Sequence, residues 1–143
     1  QAATKSNHFK ELHTYYFHNC IYDYLYTDPY IIDGRWIETD WVFRNLGSDY
    51  KVIIVGDAAM SSYELTARGG NINWYAWNNE PGINWLKKFS RFYHKVIWLN
   101  PIKESRWNHA WGARTINMVR EVFPMYELTL DGLDKGIHKL LTN

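Results

Sequence analysis

The 143-residue sequence has little cysteine and little excess charge of either sign. The only cysteine is Cys20, which excludes an internal disulfide framework and predicts a reducing, cytoplasmic location. Sixteen basic and fifteen acidic side chains give a net charge of +1, which favours neither nucleic acid nor an anionic membrane as a partner. The longest purely aliphatic run, residues 52–55, is far too short to span a bilayer.

What the sequence does contain is typical of an ordered globular protein. Hydrophobic residues make up 46% and charged residues 22%, and the length suits one core of moderate size. We therefore predict a single domain over residues 1–143. The aromatic content of 17% indicates either a strongly aromatic core or an exposed aromatic surface that meets a partner, and composition leaves both open.

Hydrophobic periodicity predicts strands that alternate with helices. The four predicted strands are residues 13–22, 51–55, 95–99 and 125–129. Helical spacing is found at residues 38–46, 62–67, 81–93, 114–122 and 130–141. This alternation favours an α/β fold of the Rossmann-like kind, a three-layer sandwich with a mostly parallel sheet and right-handed crossovers.

Asp57 is the first candidate functional residue, because it follows the predicted buried strand 51–55 almost directly. Ligands of open α/β sheets lie beyond the carboxyl ends of the strands, where a metal-binding or catalytic carboxylate belongs. The other interpretation is that Asp57 caps the next helix. Position alone does not separate the two interpretations.

Four segments, read in order, resemble a known family. They are YYFHNCIYD at 15–23, SDYKVIIVGDAAMS at 48–61, VIWLNP at 96–101 and YELTLDGL at 126–133. Together they resemble the C-terminal half of bacterial von Willebrand factor A-like (VWA) domains of the CoxE-like kind. Such proteins are often encoded beside MoxR-type AAA+ ATPases. The resemblance implies a protein-interaction module that is not an enzyme, uses Mg²⁺ or Mn²⁺ to bind its partner, and serves as an adaptor of the ATPase.

The family's metal site combines an Asp-x-Ser-x-Ser motif, a threonine from a middle loop, and an aspartate after the fourth strand. By resemblance, Asp57 matches the last aspartate, and Thr39 is the best match for the threonine, with Thr27 as a competitor. The Asp-x-Ser-x-Ser motif does not occur in this sequence. The chain is therefore expected to hold at most two of the five metal-site side chains.

The resemblance also implies an incomplete sheet. The VWA strand order is three-two-one-four-five-six, and the four predicted strands would be the third to the sixth. The two N-terminal central strands would be missing from this chain, which would leave a gap and unpaired strand edges. We expect either that these strands precede Gln1 in a longer protein, or that a partner or a rearranged pairing fills the gap.

Three further residues are predicted to contact a partner: Ser61, Arg106 and His109. Arg106 and His109 follow the Asn100-Pro101 turn at the end of another predicted strand, where they would rim the same surface as Asp57. A solvated loop is the competing interpretation. Two other functions stay open: a structural or assembly segment without metal binding, and a hydrolase that uses Asp57 with Ser61 or a nearby histidine.

A nucleophile–base pair of Cys20 and His18 is not favoured by the sequence. The two residues are two positions apart in a predicted strand, so their side chains would point in parallel rather than toward each other. We expect Cys20 to have a structural role.

Overall fold

The computed structural model describes residues 11–29, 35–68 and 79–142, and these residues form two separate sheets. The first sheet is an antiparallel pair of β1 (Tyr24–Tyr26) and β2 (Trp36–Glu38). The second is a parallel sheet in the order β3-β4-β5, formed by β3 (Lys51–Val55), β4 (Lys95–Asn100) and β5 (Met125–Glu127).

Five α-helices accompany these strands in the described part of the chain. They are α1 (Thr39–Asn45), α2 (Ser62–Thr66), α3 (Gly82–Phe92), α4 (Ala113–Arg120) and α5 (Leu130–Leu141). A short 3₁₀ turn, Glu104–Arg106, lies between β4 and α4. Each helix overlaps one of the helical segments predicted from spacing. Among the described residues, no helix is long and apolar enough to cross a membrane.

The strand β4 is the centre of the parallel sheet, and its side chains alternate between two buried layers. Val96 and Trp98 join the main core, which also holds side chains of α3 and α4. Ile97 and Leu99 face the opposite side and pack against Leu140 of α5. Burial of each such side chain contributes roughly 1.5–3 kcal/mol. Helices therefore cover both faces of the sheet, so the predicted Rossmann-like α/β architecture is confirmed at this level.

The helix α5 lies unusually close to the sheet because two of its residues have no side chain. A Cβ atom at Gly136 would come within 2.6 Å of Cδ1 of Ile97. One at Gly132 would collide with the backbone carbonyl of Glu127. The first turn is fixed by Thr129, whose hydroxyl accepts a hydrogen bond from the amide of Gly132 at 3.0 Å.

The prediction of a first strand at 13–22 is wrong. Within this segment only isolated bridges occur, and Asn19 has a left-handed backbone with φ of +63° that reverses the chain between His18 and Cys20. The nearby strand is β1, which pairs antiparallel with β2 and takes no part in the parallel sheet. The strand predicted at 125–129 also ends early, because Thr129 caps α5.

The segment before β3 nevertheless belongs to the main core. Cys20, Tyr22, Leu25 and Val42 are buried in the same cluster as Trp98 of the parallel sheet. The expected gap lay between the first two predicted strands, 13–22 and 51–55. Since the segment 13–22 is not a strand of the parallel sheet, this gap does not lie inside the observed sheet. Instead, β3 is an edge strand within the described residues.

Candidate functional site

The loop 56–60 leaves β3 at the carboxyl end of the parallel sheet and carries Asp57 on its exposed side. Its first residue extends the ladder, since the amide of Gly56 donates to the carbonyl of Leu99 in β4 at 3.1 Å. The predicted position of Asp57 at a strand terminus is thus observed.

Three successive carbonyl oxygens of this loop accept hydrogen bonds from buried side chains. The carbonyls of residues 56, 57 and 58 accept from Trp98 Nε1 at 2.7 Å, Asn100 Nδ2 at 2.8 Å and Thr115 Oγ1 at 2.7 Å. Trp98 and Asn100 come from β4 and Thr115 from α4. An unsatisfied buried polar group costs about 1–3 kcal/mol, so these bonds hold the loop in one conformation.

Two of these side chains also connect the loop to its neighbours. Asn100 Oδ1 accepts from the amide of Ile102 at 2.8 Å, so one side chain joins the loops that follow β3 and β4. Thr115 Oγ1 accepts from the amide of Met60 at 3.1 Å in addition to its bond to Ala58. The polar atoms of both buried side chains are therefore used.

The backbone of the loop is held by close contact with the start of α4. Ala58 is buried in a left-handed conformation with φ of +58°, which is rare for a residue with a side chain. Gly112, which precedes α4, has φ of +83°, and a Cβ atom there would lie 2.7 Å from the Cα of Ala59. Only glycine fits at this contact without a shift of the backbone.

The carboxylate of Asp57 has one oxygen in use. Its Oδ1 accepts from the amide of Ala59 at 2.9 Å, which closes a local turn of the Asx type. Within the described ranges, its Oδ2 has no hydrogen-bond partner and is accessible to a ligand. The interpretation of Asp57 as the cap of the next helix is wrong, because Ser61 caps α2 by accepting from the amide of Glu64 at 3.3 Å.

Thr39 is found in a different environment. It is buried at the start of α1, beside the two-stranded sheet, and its hydroxyl donates to the carbonyl of Tyr22. The competing Thr27 is exposed and donates to the carbonyl of Arg35 at 3.2 Å. Residues 11–29, 35–68 and 79–142 contain no group of three or more His, Cys, Asp or Glu side chains that could hold a metal ion.

Arg106 and His109, predicted to contact a partner, are both exposed in the connection between β4 and α4. The same connection presents Trp111, whose side chain is 75% exposed and which directly precedes Gly112. Tyr63 on α2 is 65% exposed. Sequence reasoning missed both aromatic residues.

Cys20 is not poised for nucleophilic chemistry. Its side chain is buried, and this burial raises the pKa of the thiol to about 12, so the reactive thiolate is scarce at neutral pH. His18 is exposed. The structural role expected for Cys20 agrees with this environment.

Comparison with known proteins adds no relative to these observations. No protein-family model matches the chain, and no match is found among curated proteins or solved structures. Chemically, the site offers the accessible carboxylate of Asp57 on a preorganised loop, with Arg106, His109 and Trp111 exposed in the connection between β4 and α4. Such an arrangement can bind a partner through ionic and aromatic contacts.

Proposed function

We propose that this chain is a VWA-like protein-interaction module that binds its partner at the carboxyl end of the parallel sheet and is not an enzyme. The observation that carries the proposal is the accessible carboxylate of Asp57 on a loop fixed by Trp98, Asn100 and Thr115. A loop that is already ordered loses little conformational entropy when a partner binds.

The surroundings of Asp57 support binding rather than catalysis. Exposed tryptophan, tyrosine and arginine are the side chains that most often dominate the energy of protein interfaces. Trp111 and Arg106 are exposed in the connection between β4 and α4, and Tyr63 is exposed on α2, which follows the loop. For hydrolysis, Ser61 would need a base within hydrogen-bond reach, and in the described residues its side chain caps α2 instead.

The cation-assisted form of the proposal requires ligands from outside the described residues. Asp57 fits as one oxygen ligand of Mg²⁺ or Mn²⁺, whereas Thr39 is fully buried at the start of α1, where its hydroxyl donates to the carbonyl of Tyr22. The described residues therefore do not form a complete metal site. The resemblance of the four sequence segments to CoxE-like VWA domains supports a MoxR-type AAA+ ATPase as the partner.

The decisive experiment measures binding of the full-length protein to its purified MoxR-type ATPase by calorimetry. We expect Asp57→Ala and Trp111→Ala each to weaken binding by about tenfold or more, the loss typical of an interface residue that contributes over 1 kcal/mol. Asp49→Ala is the matched control, since Asp49 is an exposed aspartate at the opposite end of β3. Unchanged affinity in both test variants would exclude this surface.

A chelator distinguishes binding through a shared cation from binding that needs no metal. Binding that is lost in EDTA and restored by Mg²⁺ supports a shared cation at Asp57. Binding that persists in EDTA but still requires Asp57 and Trp111 supports a metal-independent interface. If the chain is a purely structural segment, neither the two substitutions nor the chelator should affect binding.

A further inference from the structure

The segment from the end of β4 to the end of α4, residues 101–120, concentrates positive charge in a nearly neutral chain. It holds four lysine or arginine side chains and one acidic side chain, whereas the whole chain has a net charge of +1. The four cations are exposed, and so are a histidine and a tryptophan of the same segment. We call these six residues the basic surface: Lys103, Arg106, His109, Trp111, Arg114 and Arg120.

Backbone and ring contacts join the connection and α4 into one surface. Helical turns continue through the connection, since the amides of Arg106 and Ala110 donate to the carbonyls of Lys103 and Arg106 at 2.9 and 2.8 Å. On α4, the guanidinium of Arg120 lies 4.8 Å from the ring centroid of Trp107, which belongs to the connection and is buried. The cations of the connection and of α4 therefore belong to the same face of the molecule.

The cations of the basic surface have no acidic partners within the described ranges, because no carboxylate there forms an ion pair with any of the four. The acidic residue of the segment, Glu104, is held against β5, where its backbone amide donates to the carboxylate of Glu127 at 2.6 Å. Outside the described ranges the sequence has one further acidic side chain, Asp33. The chain thus offers few groups that could neutralise this surface.

The chemistry of the basic surface favours an acidic peptide over a nucleic acid. Trp111 is 75% exposed between Arg106 and Arg114 in the sequence, so an apolar contact is available beside two groups that bind carboxylates through paired hydrogen bonds. The next residue, Gly112, touches the loop that carries the exposed carboxylate of Asp57. A nucleic acid has a negative charge at every phosphate and is repelled there, whereas a peptide can place an uncharged or basic residue opposite Asp57.

We propose that the basic surface binds an acidic segment of a partner protein, with carboxylates on Arg106 and Arg114 and an apolar side chain on Trp111. These contacts need no metal ion. The inference rests on the partner-binding function proposed above and specifies the chemistry of the bound segment. Exposed ion pairs are individually weak, so recognition depends on several cations that act together with the indole.

The probe is a fluorescein-labelled peptide of about twelve residues, with glutamates on both sides of a central Leu-Phe pair. A control peptide has glutamine at every glutamate position. Both are titrated with the full 143-residue chain in EDTA, and binding is measured by fluorescence anisotropy. We expect saturable binding of the acidic peptide only, with an affinity that falls as the salt concentration rises.

Paired substitutions locate the binding site. Arg106→Gln combined with Arg114→Gln should raise Kd by about tenfold or more, and Trp111→Ala should raise it by about fivefold or more. The matched control removes two exposed cations of α3, through Lys87→Gln combined with Arg91→Gln, and should change Kd by less than about twofold. Circular dichroism confirms that each variant is folded.

Three outcomes would overturn the proposal. The first is the absence of saturable binding of the acidic peptide by the folded parent chain. The second is an equal loss of affinity in the control pair, which would indicate unspecific attraction by net charge. The third is tighter binding of an oligouridine of about twelve nucleotides through the same arginines, which would make RNA the ligand.

Calorimetry with the MoxR-type ATPase separates this proposal from the function on which it rests. If Asp57→Ala and Trp111→Ala weaken binding of the ATPase but the paired arginine substitutions do not, the interaction module stands and the acidic segment is wrong. If the acidic peptide binds as expected and the ATPase does not, the choice of partner is wrong and the recognition of an acidic segment stands.

Discussion

The loop 56–60 and the strand that leads into it differ in how their backbone groups are satisfied. In the loop, three consecutive carbonyls accept hydrogen bonds from buried side chains of β4 and α4. In β3, every second residue turns its amide and carbonyl away from the neighbouring strand. The two regions are adjacent in sequence, and the difference lies in the side chains that β4 and α4 supply to the loop.

This contrast shows which backbone groups find hydrogen-bond partners within the described residues. A buried polar group without a partner is costly, and the chain uses two buried polar residues and a tryptophan to avoid that cost in the loop. An open strand edge is normally short, charged or covered, yet the edge of β3 is largely aliphatic. The loop is therefore held by side chains of β4 and α4, whereas no strand among the described residues pairs with the outer edge of β3.

The largest expected effect comes from filling the contact between the loop and α4. Gly112→Ala places a Cβ atom 2.7 Å from the Cα of Ala59, at a residue whose φ is +83°. Overpacking and left-handed strain together should lower the free energy of unfolding by about 3 kcal/mol. Urea denaturation followed by circular dichroism measures this loss. Gly47→Ala, where the nearest contact is the side chain of Asp49 at 3.2 Å, is the control and should lose less than about 1 kcal/mol.

The next effect tests the polar connection between the two loops. Asn100→Leu leaves the carbonyl of Asp57 and the amide of Ile102 without this partner, and should cost about 2–3 kcal/mol in the same assay. Asn45→Leu removes an exposed amide that donates to Trp41 and should change stability by less than about 0.5 kcal/mol. Equal effects of the two substitutions would show that the loop does not depend on Asn100.

The smallest effect is expected at the open edge, where a matched pair of isoleucines exists. Ile53 and Ile97 are register partners on the same face, but only Ile97 is buried. Ile53→Thr should cost less than about 1 kcal/mol, whereas Ile97→Thr should cost at least about 2 kcal/mol because it also buries a hydroxyl. Similar losses at both positions would mean that the edge of β3 is covered in the isolated chain.

The parallel sheet could be predicted from the sequence because its signals are local. The aliphatic run of β3 ends at Gly56, and β4 ends at a proline that follows Asn100. The segment 13–22 contains aromatic and β-branched residues, which also favour a strand, but tertiary contacts decide its structure. Asp23, just after it, accepts hydrogen bonds from Asn79 and from the indole of Trp85, contacts that no local pattern reveals.

The candidate site was only partly predictable for the same reason. The position of Asp57 could be predicted because the signal for the strand before it lies within one short segment, residues 51–55. The role of Thr115 depends on a contact 57 residues away along the chain, and the burial of Thr39 depends on the carbonyl of Tyr22. The assignments of Asp57, Thr39, Ser61, Arg106 and His109 to metal or partner binding stay predictions.

The two glycines that let α5 approach the sheet have a consequence for the order of folding. Glycine inside a helix lowers its intrinsic stability by about 1 kcal/mol relative to alanine, and α5 contains Gly132 and Gly136 within its first two turns. A helix of twelve residues with this composition has little tendency to form alone in water. We therefore expect α5 to become helical only on an existing β4–β5 template, so that it folds after the two strands on which it packs.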